Sequence, residues 1–293
     1  MTKTNYPLAW VLLVVLSCVW GASYILIKYA GQVFTPIEVG LLRMSVATVV
    51  LLPIMIRDIR TLNWRDFKLL TLIGICGNLA PSMLFPLAQQ KLNSAEAGVL
   101  NSLSPVFILI VSALIFGRRY PWINVAGIVV GMVGATVLIL GRGQKLDFDG
   151  DSAYALYVVL AAICYAISAN VARQYFNDYS PLRLTAFAIG IIGFPAMIYM
   201  FAATNVVETV TTHPQGMQGL LIVSVLGAVM TATAVVLFYK MLQISSLVFA
   251  STVTYTQPIV VTSLALIDGE VLGWGHVFGM ATILLGVFLV NRK

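Results

Sequence analysis

Amides and prolines stand out in this sequence because almost everything around them is apolar. Asn78, Asn101, Asn170 and Gln257 each lie well inside a long hydrophobic run. A side-chain amide carries two donors and an acceptor, so at such a depth it either bonds a neighbouring helix or grips a small solute. Ser104 adds a hydroxyl, while Thr231, Thr233 and Thr254 are weaker candidates because threonine can bond back to its own helix. Trp20, Tyr24, Phe85, Tyr165, Phe238 and Tyr255 offer the flat apolar walls of a small-molecule pocket, although each alone could be packing. Pro105 in "NSLSPVFILI" and Pro258 in "TYTQPIV" would each release the carbonyl four residues earlier, at Asn101 and Thr254. In hydrocarbon a released carbonyl cannot turn to water. Two helices broken at matched depth suggest a cavity; a kink healed by a neighbouring serine or threonine is the simpler alternative. These groups bind rather than make bonds. No Asp or Glu falls near the middle of an apolar run, and His213 and His276 are far apart, so no acid–base pair, metal site or cofactor is expected. Cys18, Cys76 and Cys164 form no CxxC pair and read as inert packing.

The elements that must position these groups follow from composition. Of 293 residues, 60% are hydrophobic and 10% charged, with mean hydropathy +0.95. A soluble domain is about 25% charged, so the apolar runs are membrane spans, each needing about 20 residues. Ten lie near 8–30, 36–56, 67–90, 94–115, 121–141, 152–173, 181–203, 217–239, 246–267 and 272–290. The first continues through Trp20 to Ile27, too long for a signal-peptide core of about 7–15 residues. The net charge of +6 sits in short connections, which argues for topology rather than nucleic acid. Counted by side, twelve lysines and arginines share the face of the N-terminus against four opposite, placing both termini in the cytoplasm. Lys28, Lys91, Glu38 and Glu96 fall at the outer ends of spans, Arg173, Arg183 and Lys240 at the inner ends, where they could ring the mouths or form an ordinary solvated rim. Arg43 alone is inside a span, about 10 Å beyond Pro36 at 1.5 Å per residue. Snorkelling to the outer interface, or pairing with Glu96 or Glu38, is favoured over solute contact. With Arg43 so assigned, a site lacking a deep fixed charge suits neutral or zwitterionic solutes.

The chain repeats itself. "TPIE" at 35–38 falls on "SPLR" at 180–183, and Ser23 on Ser168. Gly74, Phe85, Gln90, Ala97 and Pro105 fall on Gly227, Phe238, Gln243, Ala250 and Pro258; Trp122, Gly127 and Gly134 on Trp274, Gly279 and Gly286. The units are a first five-span half at 1–141, a polar extracytoplasmic linker at 142–151 and a second half at 152–293. Because five is odd, the second half enters the membrane from the opposite face, the inverted repeat characteristic of transporters. The fold expected is therefore an all-α polytopic membrane protein of ten transmembrane helices in an inverted 5+5 arrangement. "GIVVG" at 127–131 and "GHVFG" at 275–279 permit close helix approach, expected within each half. Pro81 and Pro86 occur in the third span and nothing comparable in the eighth, so the halves are expected to bend unequally.

"VWGASYILIK", "TPIEVGLLRMSVA", "LNSAEAGVLNSLSPVF" and the long stretch from "ISSLVFASTVTYTQPIVV" to "GMATILLGVFLV", in this order, resemble the drug/metabolite transporter superfamily of the two-repeat EamA type across the whole chain. That resemblance implies a central cavity and movement of small metabolites, often export of amino acids or related compounds, across a bacterial inner membrane. The expectation is thus a transporter, not an enzyme, acting by alternating access. Its partners would be a small-molecule substrate and the bilayer, with no nucleic acid, as a monomer or homodimer. An importer or exchanger would share the fold; a membrane-embedded enzyme lacks the groups it needs, and a passive channel would lack a saturable site.

Overall fold

The computed structural model describes residues 6–140, 153–254, 256–257, 260, 263–264 and 274–290. The linker at 142–151, Tyr255 and Pro258 lie outside these residues. Among the described residues all regular structure is helical, as it must be where each backbone N–H and C=O has to be satisfied without water.

The spans run Tyr6–Ala30, Pro36–Asp58, Trp64–Ala88, Ser94–Asn101 with Ser104–Phe116, Trp122–Leu140, Ala153–Tyr175, Pro181–Ala203, Gly216–Ile244, Leu247–Ser251 with its partly described continuation, and Trp274–Val290. Six of them, the first, second, third, sixth, seventh and eighth, are uninterrupted and apolar enough to cross a bilayer. Their ends carry local signals. Thr35 and Glu38 form a reciprocal capping box on the second span, with Thr35 N donating to Glu38 Oε2 at 2.9 Å. Asn93 and Glu96 repeat it on the fourth, Asn93 N donating to Glu96 Oε2 at 3.0 Å and Glu96 N to Asn93 Oδ1 at 2.9 Å. The fourth span ends on Gly117 at φ +62, a left-handed cap that glycine adopts without strain.

The halves interlock instead of lying side by side. The second span packs on the seventh, the third on the sixth and the first on the eighth; the second also meets the eighth and the third the seventh. These contacts respect the repeat register. A Cβ at Gly74 would lie 2.1 Å from Ala188 O, and one at Gly227 would lie 2.8 Å from Arg43 O. The offset that lays Thr35 on Ser180 lays Arg43 on Ala188, so both glycines meet the same point of the opposite half.

One expectation is corrected here. The GxxxG faces join the halves rather than packing within them. A Cβ at Gly134 would lie 2.6 Å from Ile283 N, and one at Gly286 2.6 Å from Gly131 N, so the fifth and tenth helices press their small-residue stripes together. The third and eighth spans also deform alike. Each opens into a π-helical turn directly after its matched glycine, Ile75–Leu79 in one and Ala228–Thr233 in the other. Bonds there shift to five-residue spacing, Ala80 N reaching Ile75 O and Ala234 N reaching Val229 O. The prolines of the third span therefore mark no difference at this depth.

Candidate functional site

Where the halves meet, a cavity of about 100 Å³ remains, well above the roughly 10–15 Å³ that one water requires. Trp20, Tyr24, Asn78, Phe85, Asn101, Ser104, Phe238, Thr254 and Gln257 all line it. Asn170 does not. It is fully buried, and its Nδ2 donates to Ile108 O at 3.0 Å and Ala166 O at 2.9 Å, fastening the sixth span to the fourth. Its placement among the solute-contacting residues is corrected accordingly, its NH2 group being spent on backbone while its buried Oδ1 has no partner among the described residues.

The walls are aromatic and nearly twofold. Phe238 lies 5.5 Å from Trp20, and Phe85 lies 6.2 Å from Tyr165, ring centre to ring centre. Tyr165 stands on the register position of Trp20, and Phe238 on that of Phe85. Tyr24 adds an edge-on contact to Phe85 at 5.5 Å. Trp20 also serves the backbone, its Nε1 donating across the halves to Met230 O in the π-turn at 2.9 Å. Gly77 keeps the other π-turn open to Ser168, whose Oγ would be 2.3 Å from any Cβ there.

The proline break resolves in the fourth span. Its helix stops at Asn101, turns, and restarts at Ser104, with Pro105 in the first helical turn, where it lacks nothing a partner needs. The carbonyl of Asn101, which the proline would orphan, accepts Ser104 Oγ at 2.7 Å. Ser104 Oγ also lies 2.9 Å from Asn101 Oδ1, and Asn101 Nδ2 donates across the halves to Gln257 Oε1 at 3.1 Å. The serine heals the break and orients the amide. In the ninth span a turn falls at Thr252, and Thr254 Oγ1 donates back to Ser251 O at 2.8 Å.

Arg43 departs furthest from its expected place. Neither carboxylate named for it is its partner: Glu38 and Glu96 are buried, 7% and 6% exposed, in their own capping boxes rather than at an open mouth. The guanidinium lines the cavity instead, and its Nε donates to Thr231 Oγ1 at 2.6 Å. That hydroxyl in turn donates to Leu226 O at 2.9 Å, five residues back in the π-turn. The premise that the site lacks a deep fixed charge is thereby overturned. Register could have revealed this, since Arg43 sits where its half meets Gly227. Of the other charged candidates, Arg173 Nη1 donates to Asn177 Oδ1 at 3.0 Å and to Leu242 O, tying the C-terminal end of the sixth span to that of the eighth. Lys91 and Lys240 are exposed and Lys28 is partly so. Ser23, Ser168, Thr231 and Tyr239 complete the polar lining.

Among the described residues no group of three or more metal-ligating side chains occurs, and no Asp or Glu lines the cavity. The arrangement is thus a binding pocket with aromatic walls, amides, hydroxyls and one cation.

Comparison with known proteins agrees with this architecture. The EamA-like transporter family matches residues 8–140 and 152–292. An uncharacterized transporter of Archaeoglobus fulgidus is 27% identical over 97% of this chain and 99% of its own. A protein of Streptantibioticus cattleyicolor named a probable terminal-alkyne amino-acid exporter is 26% identical over 94% of this chain and 90% of its own. The uncharacterized inner membrane transporter YedA of Escherichia coli K12 is 24% identical over 93% and 87%. A solved crystal structure superposes on 97% of this chain and 96% of that one with a TM-score of 0.71 at 18% identity, a likeness of fold. With both halves matched and the described helices following that order, the chain belongs to the EamA-like transporter family and is a multi-pass membrane transporter.

Proposed function

We propose that this transporter exports amino acids or related small compounds by alternating access, both termini lying in the cytoplasm. The observation that carries the reading is a cavity lined from both halves, with Asn101 of one half bonded to Gln257 of the other at 3.1 Å. Rocking of one inverted repeat against the other opens such a site to each side in turn. The Asn101–Gln257 bond is worth about 1 kcal/mol, weak enough to exchange for a solute or to part during the motion. Aromatic faces suit an apolar body, and the amino-acid exporter among the relatives supports both substrate class and direction. The excess of lysine and arginine on the N-terminal face supports the orientation.

The test is flux of a metabolite panel in proteoliposomes, with and without a pH gradient. Saturable, competable flux of amino acids is expected. Asn101→Leu and Gln257→Leu should each lower it severalfold at unchanged membrane expression. Unsaturable flux, or unchanged flux in both variants, would remove the proposed site.

A further inference from the structure

The cavity carries a positive charge that no carboxylate among the described residues neutralises. A cation at this depth is costly unless an anion or hydrogen-bond acceptors meet it. Arg43 Nε is held by Thr231 Oγ1 at 2.6 Å, and the proton of that hydroxyl is committed to Leu226 O. Among the described residues the terminal nitrogens of Arg43 have no hydrogen-bond partner, yet neither is enclosed, so they face the open volume. The phenols of Tyr24 and Tyr165 line the same cavity and carry no carboxylate to it. A second observation points the same way. Asn78, 5% exposed, lines the same cavity, and its Nδ2 is buried without a partner. An enclosed amide donor without an acceptor and a cation without an anion thus border a space in which, among the described residues, no carboxylate side chain appears.

We propose that Arg43 and Asn78 form a carboxylate-binding subsite of the cavity, so that its solutes present one carboxylate to this end and an apolar body to the aromatic walls. The proposal rests on the reading of the cavity as the transport site and narrows its substrate class. A guanidinium with its Nε edge occupied still offers its two terminal nitrogens as a fork matched to two carboxylate oxygens. A single cation balances a single carboxylate, and the ammonium of a zwitterionic solute is left to the hydroxyls, amide oxygens and aromatic faces of the rest of the cavity. A multiply charged anion would bring uncompensated charge. The subsite belongs to one half only, because Ala188 occupies the register position of Arg43 and Thr231 that of Asn78. A solute therefore has one way round.

Matched acids and amides test this. Leucine, phenylalanine and methionine, each beside its own carboxamide, are titrated into the purified full-length protein in detergent, with the rise in thermal midpoint as readout. Each pair keeps the ammonium and side chain and differs only in the carboxylate. At least one acid should bind tenfold or more tightly than its amide; Arg43→Gln should bring that ratio close to one, and Arg43→Lys should keep part of it. Asn78→Leu should narrow the ratio severalfold. Equal binding of acids and amides by the unaltered protein would overturn the subsite while leaving the transport reading intact, and it requires no variant to fold. An Arg43→Gln protein that retains the full ratio would overturn it equally. No stabilisation by any acid, together with no saturable flux of any solute in the liposome panel, would overturn both readings.

Discussion

The two halves of this protein build the same walls and different interiors. Trp20 and Phe238 on one side answer Tyr165 and Phe85 on the other, and Gly74 and Gly227 make equivalent contacts before equivalent π-turns. The polar lining breaks that symmetry. Arg43 of the first half faces Thr231 of the second, whereas Ala188 and Asn78 stand at the matching positions. The frame tolerates symmetry because backbone approach is decided by small residues and helix pitch. Recognition cannot be symmetric for a solute whose two ends differ.

The largest expected effect probes the shared frame. Gly74→Ala would set a methyl 2.1 Å from Ala188 O, and Gly227→Ala would set one 2.6 Å from Val46 Cβ and 2.8 Å from Arg43 O. Each should lose about 1–3 kcal/mol through overpacking, the first more than the second, seen as a lower unfolding midpoint in detergent. Equal midpoints would mean that the halves are closer to identical than these contacts indicate.

Next comes the polar difference itself. Thr231→Val keeps the shape but deprives Arg43 Nε of its acceptor, for a loss of about 1–3 kcal/mol. Asn78→Leu removes a donor with no partner, so stability should hold or rise. A comparable fall in thermal midpoint for both variants would erase the asymmetry.

Smaller effects refine it. The Asn101–Gln257 bond crosses the halves, and a double-mutant cycle of the two leucine variants should give a coupling of about 0.6–1.7 kcal/mol; zero coupling would make the contact incidental. Trp20→Phe should lose about 0.6 kcal/mol with its bond to Met230 O. Tyr165→Phe, whose hydroxyl makes no hydrogen bond among the described residues, should change the midpoint less. The reverse order would mean that the two aromatic walls carry loads other than those described.

Much of the frame was legible in the sequence. Apolar run length placed the spans, and the offset repeats foretold the inversion. The capping signals "TPIE" and "NSAE" were equally present, yet Glu38 and Glu96 were weighed as mouth charges because a cap and a rim occupy the same end of a helix. The π-turns were hidden, since neither "ICGNL" nor "AVMTAT" differs in composition from ordinary helix. The prolines of the third span drew attention to a bend while the shared bulge lay just before them. Asn101 and Asn170 looked alike by depth, and only one of them lines the cavity.

Sequence alone determined that this chain crosses a membrane as helices and does so twice over in opposite senses. Hydrophobic length and segment parity are additive along the chain and need no knowledge of neighbours. Tertiary structure decided which way each helix turns about its axis, and hence that Arg43 points into the cavity while the NH2 group of Asn170 is spent on backbone. That rotation is set by small-residue contacts such as Gly227 against Arg43 O, which no single segment contains.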